Sequence, residues 1–157
     1  MRAVQAAVVF LGAFLLFLVE PLVAKMLLPV FGGSAAVWIA ALLFFQLALL
    51  AGYGWADWLA RRAPGRMRAP IHLALLASSC ALLPIGLRLR ALAAPLPPTA
   101  QVLALLAASV GLPYFVLATT GPLLQTLWKG AQPYRLYALS NAGSMLGLLA
   151  YPAILEP

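Results

Sequence analysis

The chain has 157 residues, 65% hydrophobic and 8% charged, where a soluble domain is about half apolar and a quarter charged. A soluble fold of this length cannot hide that much apolar surface, so the chain reads as an integral membrane protein. The net charge of +7 does not indicate nucleic acid, because the basic residues cluster between apolar runs, where topology signals and headgroup contacts lie.

About 20 apolar residues cross a bilayer, and five runs reach or approach that length. The first covers residues 3–28 and ends at Pro29 and the loop signal Gly32-Gly33-Ser34. It starts like a signal peptide, but it is too long, carries Glu20 and has no clean cleavage site, so it reads as a retained helix. Glu20 and Pro21 stand inside it. An ionised acid facing hydrocarbon is costly, so Glu20 should meet protein, a cavity or water. Pro21 cannot donate to the carbonyl one turn earlier, and a kink is expected there.

The second run, residues 35–59, contains Gln46 and ends with Trp55, Asp57 and Trp58. Tryptophans at a helix end belong to the interfacial belt. A basic loop with Arg61, Arg62, Arg66, Arg68 and Pro70 follows. The third run, residues 71–87, is the shortest; it opens with His72 at the interface and holds Cys80, read as a small buried apolar side chain. Arg88, Arg90 and the proline-rich stretch 94–98 form the next loop. The fourth run, residues 99–128, is long and interrupted by Pro113 and Pro122, which predicts a second kinked or broken helix. Lys129 and Arg135 bracket a short loop, and the fifth run covers residues 134–155. The fold expectation is thus one all-α membrane domain of about five helices over residues 1–157.

With five crossings, Arg2 and the loops 61–68 and 129–135 share one side, and Arg88 and Arg90 fall on the other. The positive-inside rule puts the N-terminus in the cytoplasm. Glu20, Lys25 and Glu156 then belong to the outer half.

Glu20 and Glu156 could form a cation-attracting vestibule or a protonatable pair. Glu20 could equally be a structural partner of Lys25 or of a neighbouring helix. Asp57 with Arg61, Arg62 and Arg66 could latch helices at the cytoplasmic end, or could be plain positive-inside anchoring. That cluster loosely resembles the loop between helices two and three of the major facilitator superfamily. Thr120, Gln125 and Asn141, like Gln46, are polar groups within apolar runs; with Glu20, Lys25 and Glu156 they are the candidates for substrate binding or proton coupling, and helix packing is the other reading of these four. The stripe Ser140, Asn141, Gly143, Ser144 and Gly147 reads mainly as helix packing. No metal-ligand cluster, phosphate loop or nucleophile motif is present in the sequence, so no cofactor and no catalytic set is expected.

Four segments carry a family resemblance: LVEPLVAKMLLPVFGG (18–33), FQLALLAGY (45–53), GLPYF (111–115) with TGPLLQ (120–125), and YRLYALSNAGS (134–144) through YPAILEP (151–157). They resemble the membrane part of bacterial proteins described as fused MFS/spermidine synthase. The resemblance implies a half-unit of the facilitator fold in a bacterial inner membrane. It also implies a link to polyamines and to an aminopropyltransferase-like domain. The acids of that soluble domain are absent from this sequence, so aminopropyl transfer is not carried over. Two functions follow as expectations. One is a transporter-like module for a small organic cation such as a polyamine, working as a homo-oligomer in the lipid bilayer. The other is a membrane anchor or regulator for a separate aminopropyltransferase-like partner.

Overall fold

The computed structural model describes residues 2–88, 95–127 and 134–155. Over them the chain is helical, with no strand. Helix α1 (Arg2–Met26) is followed by a single turn, α2 (Leu28–Phe31). Gly32, at φ 74°, turns the chain toward α3 (Ala35–Arg62), a left-handed conformation that favours glycine. Then come α4 (Gly65–Cys80), α5 (Pro98–Leu106), a π-helical turn (Ala107–Gly111), α6 (Leu112–Thr126) and α7 (Tyr134–Ala150). A second π-helical turn, Tyr151–Leu155, ends the described residues.

Four helical runs among the described residues are long and apolar enough to cross a membrane: Ala3–Phe31, Ala35–Arg62, Pro98–Thr126 and Tyr134–Leu155. Leucines and isoleucines such as Leu11, Ile39, Leu43, Leu47, Leu50 and Leu149 stand exposed along them. In water so much open apolar surface would be an aggregation hazard; facing lipid it is the normal state.

The third expected crossing differs from its reading over residues 71–87. Its helix begins at Gly65 and stops at Cys80, with Pro70 inside it. Arg66 and Arg68 are therefore helical, and the basic loop shrinks to Ala63 and Pro64 between α3 and α4. Sixteen residues rise only about 24 Å, less than the hydrocarbon thickness of about 30 Å. The chain continues without helix over residues 81–88. The backbone N–H of Arg88 donates to Ser109 Oγ at 2.8 Å. Ile85 and Leu87 pack against the main core. Non-helical backbone at membrane depth is tolerated where protein satisfies it, and Ser109, itself buried, does so here. Cys80, expected to be buried, is exposed. The reason is that α4 is held chiefly along its α6 side and leaves its other faces open.

The π turn at Ala107–Gly111 has a local cause. Pro113 has no N–H to return to the carbonyl of Ser109, and its ring crowds that carbonyl; widening the preceding turn relieves both. Thr119 and Thr120 precede the next proline, Pro122, and turn their hydroxyls back onto the carbonyls of Phe115 (2.8 Å) and Val116 (2.7 Å). Polar side chains in an apolar helix thus find partners within their own turn.

Lipid tails are as apolar as leucine, so helix association rests on close packing and on interhelical hydrogen bonds. The seam between α1 and α7 shows the first. A methyl group at Gly143 would lie 2.5 Å from the Phe10 carbonyl oxygen, and one at Gly147 would collide with the Phe14 carbonyl. Gly52 plays the same part between α3 and α6, where a methyl group would come within 2.7 Å of Ala118 Cβ. The main core gathers Leu16 and Val23 of α1, Leu27 between α1 and α2, Phe45 of α3, and Leu105, Val110 and Tyr114 of the fourth run. A smaller cluster, Ala56, Leu59, Ala63 and Leu123 with Ile71 and Leu127, ties α3 to α4 and α6 at the other end.

Candidate functional site

Glu20 lies 11 residues before Phe31, about 16 Å along the helix. The run Ala3–Phe31 has 29 residues, about 43 Å, so Glu20 falls inside the hydrocarbon zone when that run spans it. The acid is half-buried and does not stand alone: the Tyr114 hydroxyl of α6 donates to its Oε1. Tyr114 is 1% exposed, so this phenol has no access to water of its own and the acid is its polar partner. The Phe45 ring of α3 packs on Tyr114 with centroids 5.0 Å apart, and Phe44 lies edge-on to Phe45 at 5.3 Å. Three helices thus hold the pair: α1 supplies the acceptor, α6 the donor, and α3 the aromatic wall that fixes the phenol.

Beside this pair a pocket of about 160 Å³ opens between α1, α3 and α7. Glu20, Pro21 and Ala24 line one side, Trp38, Ala41, Leu42 and Phe45 another, and Leu148 the third. Glu20 is its only ionisable lining residue among those described. A smaller space of about 40 Å³ lies nearer the start of α1, among Gly12, Tyr53, Gly121, Ser140 and Ser144.

Among the described residues, none of the other predicted polar candidates lines this pocket. Lys25 is exposed in the last turn of α1. Gln46 and Asn141 are exposed on α3 and α7. Gln125 is half-buried near the end of α6. Thr120 belongs to a different contact: His72 Nε2 of α4 lies 3.0 Å from its Oγ1. Because that hydroxyl already donates to Val116, the histidine is the donor. His72 is therefore tied to α6 rather than simply placed at an interface. Glu156 lies outside the described residues, so an acidic pair with Glu20 has no geometry here.

The basic end of the bundle is likewise local. Asp57 Oδ1 accepts from Arg61 Nε at 2.7 Å, one turn apart on α3, with both side chains more than half exposed. Arg62 closes α3 and Arg66 stands in the first turn of α4, both exposed. Trp55 and Trp58 stack at 5.0 Å, and Trp55 also meets Phe115.

Tyr114 is the residue the sequence reading did not single out. Its signal is a phenol in an apolar run beside a proline, on a helix other than the one carrying the membrane acid. No group of three or more metal-ligating side chains comes together among the described residues. No protein-family model, no curated protein and no solved structure matches the chain.

Proposed function

We propose that the chain is a membrane-embedded transporter-like module for a small organic cation, with Glu20 as the cation's counter-charge. The observation that carries the reading is the Glu20–Tyr114 bond at the edge of a pocket within the membrane-spanning helices. A carboxylate in that position is expensive unless it serves a cation or a proton. The phenol donates to the acid, and a cation beside it would be the counter-charge of its ionised form. Discontinuous elements support the same reading: the short α4 with its non-helical continuation faces a π turn across the Arg88–Ser109 bond, and broken helices commonly line transport sites. Kinks at Pro21 and Pro113 would give α1 and the fourth run the freedom to rock. A half-unit of the facilitator fold, set in a bacterial inner membrane with the N-terminus cytoplasmic, would work as a homo-oligomer, so that two units enclose one path. Polyamines are the substrate class that the family resemblance suggests.

The exposed arginines Arg61, Arg62 and Arg66, gathered where α3 meets α4, favour a second reading. That end could dock a soluble aminopropyltransferase-like partner or the anionic leaflet.

The test is uptake of labelled organic cations by proteoliposomes containing the purified chain. Saturable uptake that falls about tenfold or more in Glu20→Gln supports the module, since a lost charge contact of that size is a modest one. Absence of saturable uptake for every cation tried, or uptake indifferent to Glu20→Gln, overturns it.

A further inference from the structure

The pocket beside Glu20 narrows what the cation can be. From its shape and charge we infer that it takes a compact ammonium of single charge with an apolar body about the size of one six-membered ring. This inference rests on the function proposed above and specifies its substrate class.

Size comes first. The pocket holds about 160 Å³, close to the engineered cavity of about 150 Å³ that binds one benzene. A linear polyamine with several ammonium groups is too long to be enclosed there. Charge comes second. Glu20 is the only ionisable residue on the wall among those described, and the remaining lining is Pro21, Ala24, Trp38, Ala41, Leu42, Phe45 and Leu148. One carboxylate balances one ammonium; a second or third would sit against leucine and phenylalanine without a counter-charge, at the cost of losing its water. Trp38 and Phe45 add aromatic surface, which favours an organic cation over a metal ion. Tyr114 holds Oε1, so the carboxylate is fixed before the ligand arrives and little ordering remains to be done on binding.

The route of entry follows from exposure. Trp38, Leu42 and Leu148 are 39%, 55% and 48% exposed, so these rim residues border the lipid side of the bundle. A hydrophobic monocation concentrates in that region of a bilayer with its charge toward the headgroups. A hydrated polycation does not.

The test uses the purified full chain in lipid nanodiscs, titrated calorimetrically with benzylammonium, with spermidine and with uncharged benzyl alcohol. Saturable one-to-one binding of benzylammonium is expected, about tenfold or more tighter than either of the others. Leu148→Trp, which fills the pocket from its rim, and Glu20→Gln, which keeps the acceptor for Tyr114 and removes the charge, should each weaken it by a similar factor. Thermal unfolding of each variant, unchanged from the parent, shows that the loss is local. If spermidine binds through Glu20 and benzylammonium does not compete, the compact-monocation inference is overturned and the organic-cation module stands. If Leu148→Trp binds benzylammonium as the parent does while Glu20→Gln does not, the acid works from outside this pocket, which also overturns the inference alone. If benzyl alcohol binds as well as the ammonium, or nothing binds, both readings are overturned.

Discussion

The two sides of α1 are built in opposite ways. Toward α7 the helix meets bare backbone: Gly143 and Gly147 sit against the carbonyls of Phe10 and Phe14, with no room for a methyl group. Toward α3 and α6, one or two turns further on, the same helix carries an acid bonded to a buried phenol, and beside that acid lies a pocket shared with α3 and α7 that is large enough for a benzene ring. The first side gains its stability from contact and tolerates nothing added. The second leaves space unfilled and invests in a polar pair, which is the pattern of a site rather than a seam. Proximity to α7 is thus the fixed reference against which the pocket is held, and Leu148, one residue past Gly147, brings α7 to the pocket wall.

The contrast predicts an order of effects. Gly147→Val should be the most damaging change, because the new side chain collides with the Phe14 carbonyl and two backbones must separate. A loss of about 2–3 kcal/mol, at the upper end for overpacking, is expected in unfolding from detergent micelles. Gly12→Ala on α1 is the control: nothing lies within 4 Å of the added carbon, so stability should hold or rise by up to about 1 kcal/mol from helix propensity.

Tyr114→Phe comes next. It removes the donor to Glu20 while keeping the ring that packs on Phe45. A loss of about 0.6–1.7 kcal/mol fits interhelical hydrogen bonds measured in membranes. A double-mutant cycle with Glu20→Ala, which removes the acceptor, should show the two changes coupled rather than additive. Thr120→Val should cost less, about 0.6 kcal/mol, by removing the acceptor for His72, and should loosen α4 without altering cation binding. Asp57→Asn should be the mildest, within about 0.5 kcal/mol and reduced by salt, because its partner Arg61 is exposed on the same helix.

Periodicity and length made the helical membrane class legible, because a bilayer allows few alternatives to a helix. Runs 35–59 and 134–155 begin at the helix starts Ala35 and Tyr134. The third run misled for a physical reason. Apolar residues 81–87 are compatible with either a helix or an extended strand of chain, and only the Ser109 hydroxyl on another run shows that they lie alongside the π turn. Glycine spacing foretold a close helix approach on α7 but not which helix it meets. Glu20 was legible as an acid in need of company. That its company is Tyr114, 94 residues away, was not, since hydropathy treats a buried phenol as one more apolar position. Thr120 was legible as a polar residue that either packs or meets a ligand, and its hydroxyl is bonded to its own backbone and to His72.

The central claim is that Glu20, steadied by Tyr114, is the group that meets the cation. Infrared difference spectroscopy of the purified chain, recorded as benzylammonium or spermidine is added, reads that carboxyl directly. The account predicts a carboxylate band that shifts on binding, changes frequency in Tyr114→Phe and is absent in Glu20→Gln. Cation binding with no change in any band removed by Glu20→Gln would contradict it.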